Sequence, residues 1–197
     1  MIRKNELFCK LIRIKYSSKS LFDSSMAHFR PELEVCPCCH SKGNCRLHAS
    51  YSRNLIDFLL GKTVYSNVVI TRVICHSCHS THAILPDFII PYAGYSLFFI
   101  LRVLAEYFAK LHTVDKLCSR FSISSSMLYR WLHLFLSHKK LWLGLLVSSS
   151  TTSFSFLKQL SHMNSFSSFS SAFVQMTSFS FLQLHANPTA FLRRYQI

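Results

Sequence analysis

Acidic residues are scarce in this 197-residue chain, and they stop early: there are 8 Asp and Glu, and none follows Asp115. Nucleases and strand-transfer enzymes that work with two metal ions hold them on well-separated carboxylates. No such set can lie beyond Asp115, and Asp57 and Asp87 do not build one alone. Glycine is rarer still, with 4 residues, and neither a phosphate-cradling glycine loop nor a G-x-S-x-G elbow is present. The first residues, "MIRKNELFCKLIRIKYSSKS", contain no apolar core of about 7–15 residues and no small-residue cleavage site. These absences speak against an enzyme, a small-molecule substrate and a secreted disulfide scaffold. A reducing, cytoplasmic setting is expected instead, where clustered cysteines serve as metal ligands.

Positive charge, by contrast, is plentiful: 22 Lys and Arg give a formal net charge of +14. Such a balance favours polyanionic partners, double-stranded DNA foremost. There are 8 cysteines, and two groups share one form, "CPCCH" at 36–40 and "CHSCH" at 75–79. C-x-x-C-H is the attachment signature of c-type haem, but haem requires export, a second axial ligand and an apolar pocket. The segment between the groups is short and rich in β-branched residues, which suits a pair of strands better. Two C-x-x-C turns at the ends of adjacent strands supply the four corners of a tetrahedral zinc site. Cys36, Cys39, Cys75 and Cys78 are the expected Zn2+ ligands. Cys38, the Cys45/His48 pair, His40, His76, His79 and His82 remain as alternatives for a mixed site. Four thiolates leave no open coordination position, so the metal is expected to be structural. Its binding would supply about 10–16 kcal/mol of folding free energy, and residues 36–85 are expected to unfold without it.

Composition separates four regions: a basic, irregular segment at 1–35 with an internal Met26, a zinc ribbon at 36–92, a helical region at 93–140 and a Ser/Phe-rich tail at 141–197. "TVYSNVVITRVIC" (63–75) reads as a strand, with "RLHASYSR" (46–53) as its antiparallel partner and Gly61-Lys62 as the turn. Pro86 and Pro91 argue against regular structure in "ILPDFIIPY". From Ser96, an N-cap, the residues Leu97, Ile100, Leu101, Leu104, Phe108 and Leu111 follow a period near 3.6. Arg102, Glu106 and Lys110 interrupt that stretch, so an amphipathic helix is expected and not a membrane span.

"TVDKLCSRFSISSSMLYRWLHLF" (113–135) fits a helix-turn-helix. Counted from Val114, the apolar positions are filled by Leu117, Cys118, Phe121, Ile123, Leu128 and Trp131, while the turn position usually held by glycine is Ser122. Thr113 and Ser124 are the expected caps. The second helix of the unit would expose Ser125, Ser126, Tyr129, Arg130 and His133 to base edges and phosphates. Lys139 and Lys140, and Arg46, Arg53 and Arg72 on the ribbon, would meet the DNA backbone. A helical hairpin with a merely polar face is the plainer reading of the same residues.

The order of "CPCC" (36–39), "YSR" (51–53), "ITRVICHSCHSTHAILPDFIIPY" (70–92) and the helices resembles the N-terminal region of bacterial insertion-sequence transposases and a related uncharacterised zinc-ribbon family. Arg72 before Cys75, Thr81 after Cys78, and Leu85-Pro86 carry the likeness, which covers about residues 36–136. Glycine usually follows each knuckle in such proteins, whereas His40 and His79 stand there. The resemblance implies zinc binding and DNA recognition, not strand transfer. The expected fold is α+β, a small zinc ribbon followed by a three-helix bundle and a low-complexity tail. The tail, rich in residues with pyrimidine-rich codons, reads as poorly ordered or as out-of-frame translation after a catalytic half was lost, with a weakly packed helical or aggregation-prone extension as a competing reading. Other readings are a zinc-stabilised protein-interaction module and a small membrane-associated protein anchored through 141–157.

Overall fold

A computed structural model describes residues 11–14, 19–145, 152–160, 163–177 and 179–184. It is a mixed α+β chain of two compact units, the first formed by residues 1–55 and 65–89, the second by 56–64 and 90–197.

The first unit is built on a sheet. Strand β1 (Leu11–Ile14) precedes helix α1 (Lys19–Met26), both within the segment expected to be irregular. Strands β2 (Cys45–Leu59) and β3 (Lys62–Cys75) are hydrogen-bonded neighbours joined only by Leu60 and Gly61. So short a connection forces them antiparallel. The turn falls one residue earlier than the expected Gly61-Lys62. Leu60 and Gly61 both take positive φ, 50° and 80°, the combination that matches a hairpin's right-handed twist. Strand β4 (Thr81–Pro86) pairs antiparallel with β3, Arg72 opposite Ala83, and parallel with β1, giving the order β1-β4-β3-β2. The prolines therefore do not exclude a strand here. Pro86 is its last residue, where a missing N–H costs the ladder least. Phe22, Val68, Ile70, Val73, Ile84, Phe88 and Ile89 are buried and form the apolar interior of this unit.

The tip of the β2–β3 hairpin belongs to the second, helical unit. Helix α2 (Leu97–Phe108) starts at Ser96, whose hydroxyl accepts the Phe99 N–H at 3.0 Å. Leu97, Ile100, Leu101 and Leu104 are buried as the periodicity requires, together with Phe99 and Val103. Leu111, expected on the same stripe, is 61% exposed, because the helix ends at Phe108 and Lys110 turns the chain away at φ 53°. Helix α3 (Val114–Phe121) is capped by the Thr113 hydroxyl and helix α4 (Ser125–Leu145) by that of Ser124. Between them Ser122 adopts φ 52°, ψ 46°, the left-handed conformation that glycine enters most freely. Leu117, Phe121, Ile123, Leu128 and Trp131 are buried and Cys118 is half-buried. Glu106 of α2 is buried too, with Arg102 at 2.8 Å and Arg120 of α3 at 3.3 Å. That pair of guanidinium contacts offsets the desolvation of its carboxylate.

In the Ser/Phe-rich tail the structure has two helices, α5 (Ser153–Leu160) and α6 (Met163–Thr177). Phe166, Phe169 and Phe173 recur at helical spacing and are buried with Phe156, Leu157, Leu160, Phe179 and Phe181. His138 of α4 lies among these rings and accepts the Leu182 N–H at 2.9 Å through Nδ1. Phenylalanine at one face of each turn gives this segment an apolar stripe despite its serine content. No helix among the described residues is long and apolar enough to cross a membrane. Part of the expected 141–157 anchor lies outside the described residues.

Candidate functional site

The two knuckles are built alike. Each has the pattern C-x-x-C-H-S, "CPCCHS" at 36–41 and "CHSCHS" at 75–80. In the first, Cys36 N–H donates to the Ser41 carbonyl at 3.0 Å and His40 N–H to the Cys36 carbonyl at 2.9 Å. In the second, Cys75 N–H donates to Ser80 at 3.0 Å and His79 N–H to Cys75 at 2.8 Å. His40 and His79 close these turns at φ 58° and 56°. Glycine enters this conformation most freely, so with histidine the turn geometry is kept at the cost of a left-handed β-carbon.

This repeated turn aims four sulfurs at one point. The Sγ atoms of Cys36, Cys39, Cys75 and Cys78 all lie within 4.8 Å of one another. Cys36 is 3.6 Å from Cys78, and Cys39 is 3.7 Å from Cys75. A tetrahedral site with Zn–S bonds of about 2.3 Å separates its thiolates by about 3.8 Å. The tetrad therefore has the dimensions to hold a metal ion, and it fits a zinc ribbon. The two C-x-x-C-H motifs converge on each other, so each serves as half of a single site.

Donors surround the sulfurs. The N–H groups of Cys38 and Cys39 point at the Cys36 sulfur, and those of Ser77 and Cys78 at Cys75. Burial pushes the Cys36 thiol up to about 12. For Cys75 burial also acts upward, but the Ser41 hydroxyl and the two N–H groups outweigh it and bring the thiol down to about 5. Burial thus opposes a thiolate at Cys36, while the donors around Cys75 favour one.

Among the alternative ligands, His40, His48, His76 and His79 are exposed. Cys38 lies outside the tetrad and accepts from the Ser80 hydroxyl at 3.6 Å. Cys45 is buried at the start of β2, where burial and then the neighbouring Cys75 raise its pKa. His82 on β4 is fully buried, and its Nε2 sits 3.3 Å from the Cys36 sulfur. It is placed to steady a thiolate and is not one of the four. His82 is among the alternative ligands of the sequence reading, whereas Ser41 is not, and its hydroxyl lies 3.4 Å from the Cys75 sulfur. The serine shared by the two hexapeptides was the available signal.

The basic and polar candidates fall into two groups. On α4, Ser125, Ser126, Tyr129, Arg130, His133 and Lys140 are exposed, and from Ser126 onward they follow helical spacing along one face. Lys139 points elsewhere: it is half-buried, its ammonium lies 3.5 Å from the Ser153 hydroxyl, and burial lowers its pKa. In the first unit Arg46 is exposed, its guanidinium bonded to the Gly43 and Cys45 carbonyls at 2.9 Å. Arg53 and Arg72 are half-buried, and Arg72 donates to the Thr81 hydroxyl.

The chain is thus an α+β protein with a four-cysteine cluster that could hold a metal ion. A family model described as Domain of unknown function (DUF6431) matches residues 36–131, a span that opens on the first knuckle and ends within α4. No curated protein and no solved structure matches the chain.

Proposed function

We propose that this chain is a zinc-dependent, double-stranded-DNA-binding protein, similar to the DNA-recognition part of a transposase and without catalytic activity of its own. Zn2+ is held by Cys36, Cys39, Cys75 and Cys78, whose thiolates suit a borderline-soft cation and whose closed set suits a structural role. In this reading α3 and α4 are the helix-turn-helix, Ser122 its left-handed turn, and α4 the helix that enters the major groove. The protein works in the cytoplasm, with no small-molecule substrate.

The observation that carries the DNA reading is the exposed face of α4. Leu128, Trp131, Leu132 and Phe135 are buried, while Ser126, Tyr129, Arg130, His133 and Lys140 stay exposed. Arg130 lies near the start of the helix, where a guanidinium can pair with the O6 and N7 of guanine, whereas Lys140 is placed for phosphate. Fluorescence anisotropy of the full chain on duplex DNA tests this. Affinity should fall steeply with salt. Arg130→Ala should cost about 1–3 kcal/mol and relax sequence preference, while Lys140→Ala should weaken all sequences alike. Equal losses on specific and random duplexes from both variants would remove α4 from the groove. Binding that ignores salt would remove DNA.

A further inference from the structure

The β2–β3 hairpin ends in "FLLGK" (58–62), and its tip is chemically out of place. Leu60 is 102% exposed and Leu59 56% exposed. Leu60 also holds φ 50°, a conformation in which a side chain other than glycine or asparagine is disfavoured. A two-residue turn of this type ordinarily reads Asn-Gly or Asp-Gly. Leucine at position 60 therefore serves neither the turn nor the solubility of the surface. Gly61 beside it, at φ 80°, has nothing within 4 Å of where a Cβ would stand, so the tip projects clear of the protein.

The base of the tip, in contrast, is firmly anchored. Phe58 packs its ring 4.6 Å from Phe121 and 6.3 Å from Phe99. The Thr63 hydroxyl donates to the Phe121 carbonyl at 3.4 Å, Ile56 N–H donates to the Gly94 carbonyl at 2.8 Å, and the Ser96 hydroxyl donates to Asp57 at 2.8 Å. Phe121 is the last residue of α3, so these contacts fix the tip to the corner from which α4 departs. The charges around it are those of Lys62, of Asp57 and of the Arg102/Arg120/Glu106 cluster. Lys62 is exposed, and the Arg120 guanidinium lies 5.7 Å over the Phe58 ring. The carboxylates of Asp57 and Glu106 are engaged by Ser96 and by Arg102 and Arg120 respectively.

Resting on the DNA-binding reading above, we propose that this tip is a second DNA contact: Leu60 acts as an apolar wedge that enters a base step from the minor groove, with Lys62 on the flanking phosphate. An apolar side chain carried on an anchored turn with a lysine beside it can partly unstack a duplex, and the result is a kink. Leu60 gains no burial from the fold itself, so contact with a base stack would remove its apolar surface from water for the first time.

The test uses the full chain with zinc, a duplex of about 30 base pairs labelled at both ends for energy transfer and carrying 2-aminopurine. The wild type should shorten the end-to-end distance and brighten the base analogue. Leu60→Gly should raise the melting temperature, because the turn is relieved. It should also bind about tenfold or more weakly and lose both signals, while salt dependence and the effect of Arg130→Ala persist. Lys62→Ala should weaken binding but leave the bend. If Leu60→Gly bends DNA like the wild type, the wedge is wrong and the reading of α4 stands. If the wild type binds no duplex, that reading fails first and the wedge with it. Loss of self-association in the Leu60→Gly variant, or Leu60-dependent sedimentation with phosphatidylglycerol vesicles in place of bending, would overturn the proposal in favour of those surfaces.

Discussion

Replacing His40 and His79 by glycine should make the metal centre more stable, although it removes two side chains. Both residues close a knuckle at φ near 57°, 58° in one and 56° in the other. A non-glycine residue pays about 1–2 kcal/mol in the left-handed region. Glycine avoids that penalty but brings about 0.5–1 kcal/mol of extra chain entropy to the unfolded state. The difference is a gain of about 0.5–1 kcal/mol per site, or about 1–2 kcal/mol for the double variant if the sites add. For a domain of about 60–100 residues each kcal/mol corresponds to about 4–8 °C in melting temperature. Thermal melts of the zinc-loaded His40→Gly/His79→Gly protein would read this, with His40→Ala/His79→Ala as the control. Alanine removes the imidazoles yet keeps the β-carbon, so it should show no gain. An equal gain from alanine would mean that the imidazoles, not the backbone angle, carried the cost. A loss from glycine would refute the reasoning outright.

Three further outcomes follow from named contacts. His82→Phe removes the Nε2 group that lies 3.3 Å from the Cys36 sulfur, and should weaken zinc affinity about 10–100-fold in a chelator competition while stoichiometry stays unchanged; a lost equivalent of metal would make His82 a ligand. Glu106→Gln removes the charge that faces Arg102 at 2.8 Å and Arg120 at 3.3 Å, and should cost about 1–2 kcal/mol in a urea titration, the guanidiniums being partly screened by water; no change would mean that the ion pairs are idle. His138 accepts the Leu182 N–H through Nδ1 at 2.9 Å, so His138→Leu should leave that buried N–H without its acceptor and cost about 1–3 kcal/mol in a urea titration; an unchanged midpoint would show that the tail does not rely on this bond.

Much of the four-cysteine cluster was legible because its geometry is local. A C-x-x-C spacing fixes one tight turn, and the turn fixes where its two sulfurs point. The helix starts were legible for the same reason: Ser96, Thr113 and Ser124 each cap through their own hydroxyl, within three residues. What escaped depends on partners distant in sequence. His82 reaches the sulfur of Cys36 only because β4 folds back beside the knuckles. Strand β1 gains its ladder from β4, and "LIRI" alone carries no sign of its partner. Leu111 fits the period of α2 but lies beyond the left-handed turn at Lys110, a backbone event that hydrophobic spacing does not register. The packing of the tail was hidden behind its serines, some of which are buried beside the phenylalanines on one face of α6.

Metal content of the purified full chain, measured by mass spectrometry alongside Cys75→Ser, tests the four-thiolate centre most directly. One zinc per chain in the wild type, and its loss in the variant together with unfolding of the knuckle unit, is the expected result. A metal-free wild type that stays folded, or zinc retained at full stoichiometry without Cys75, would contradict it.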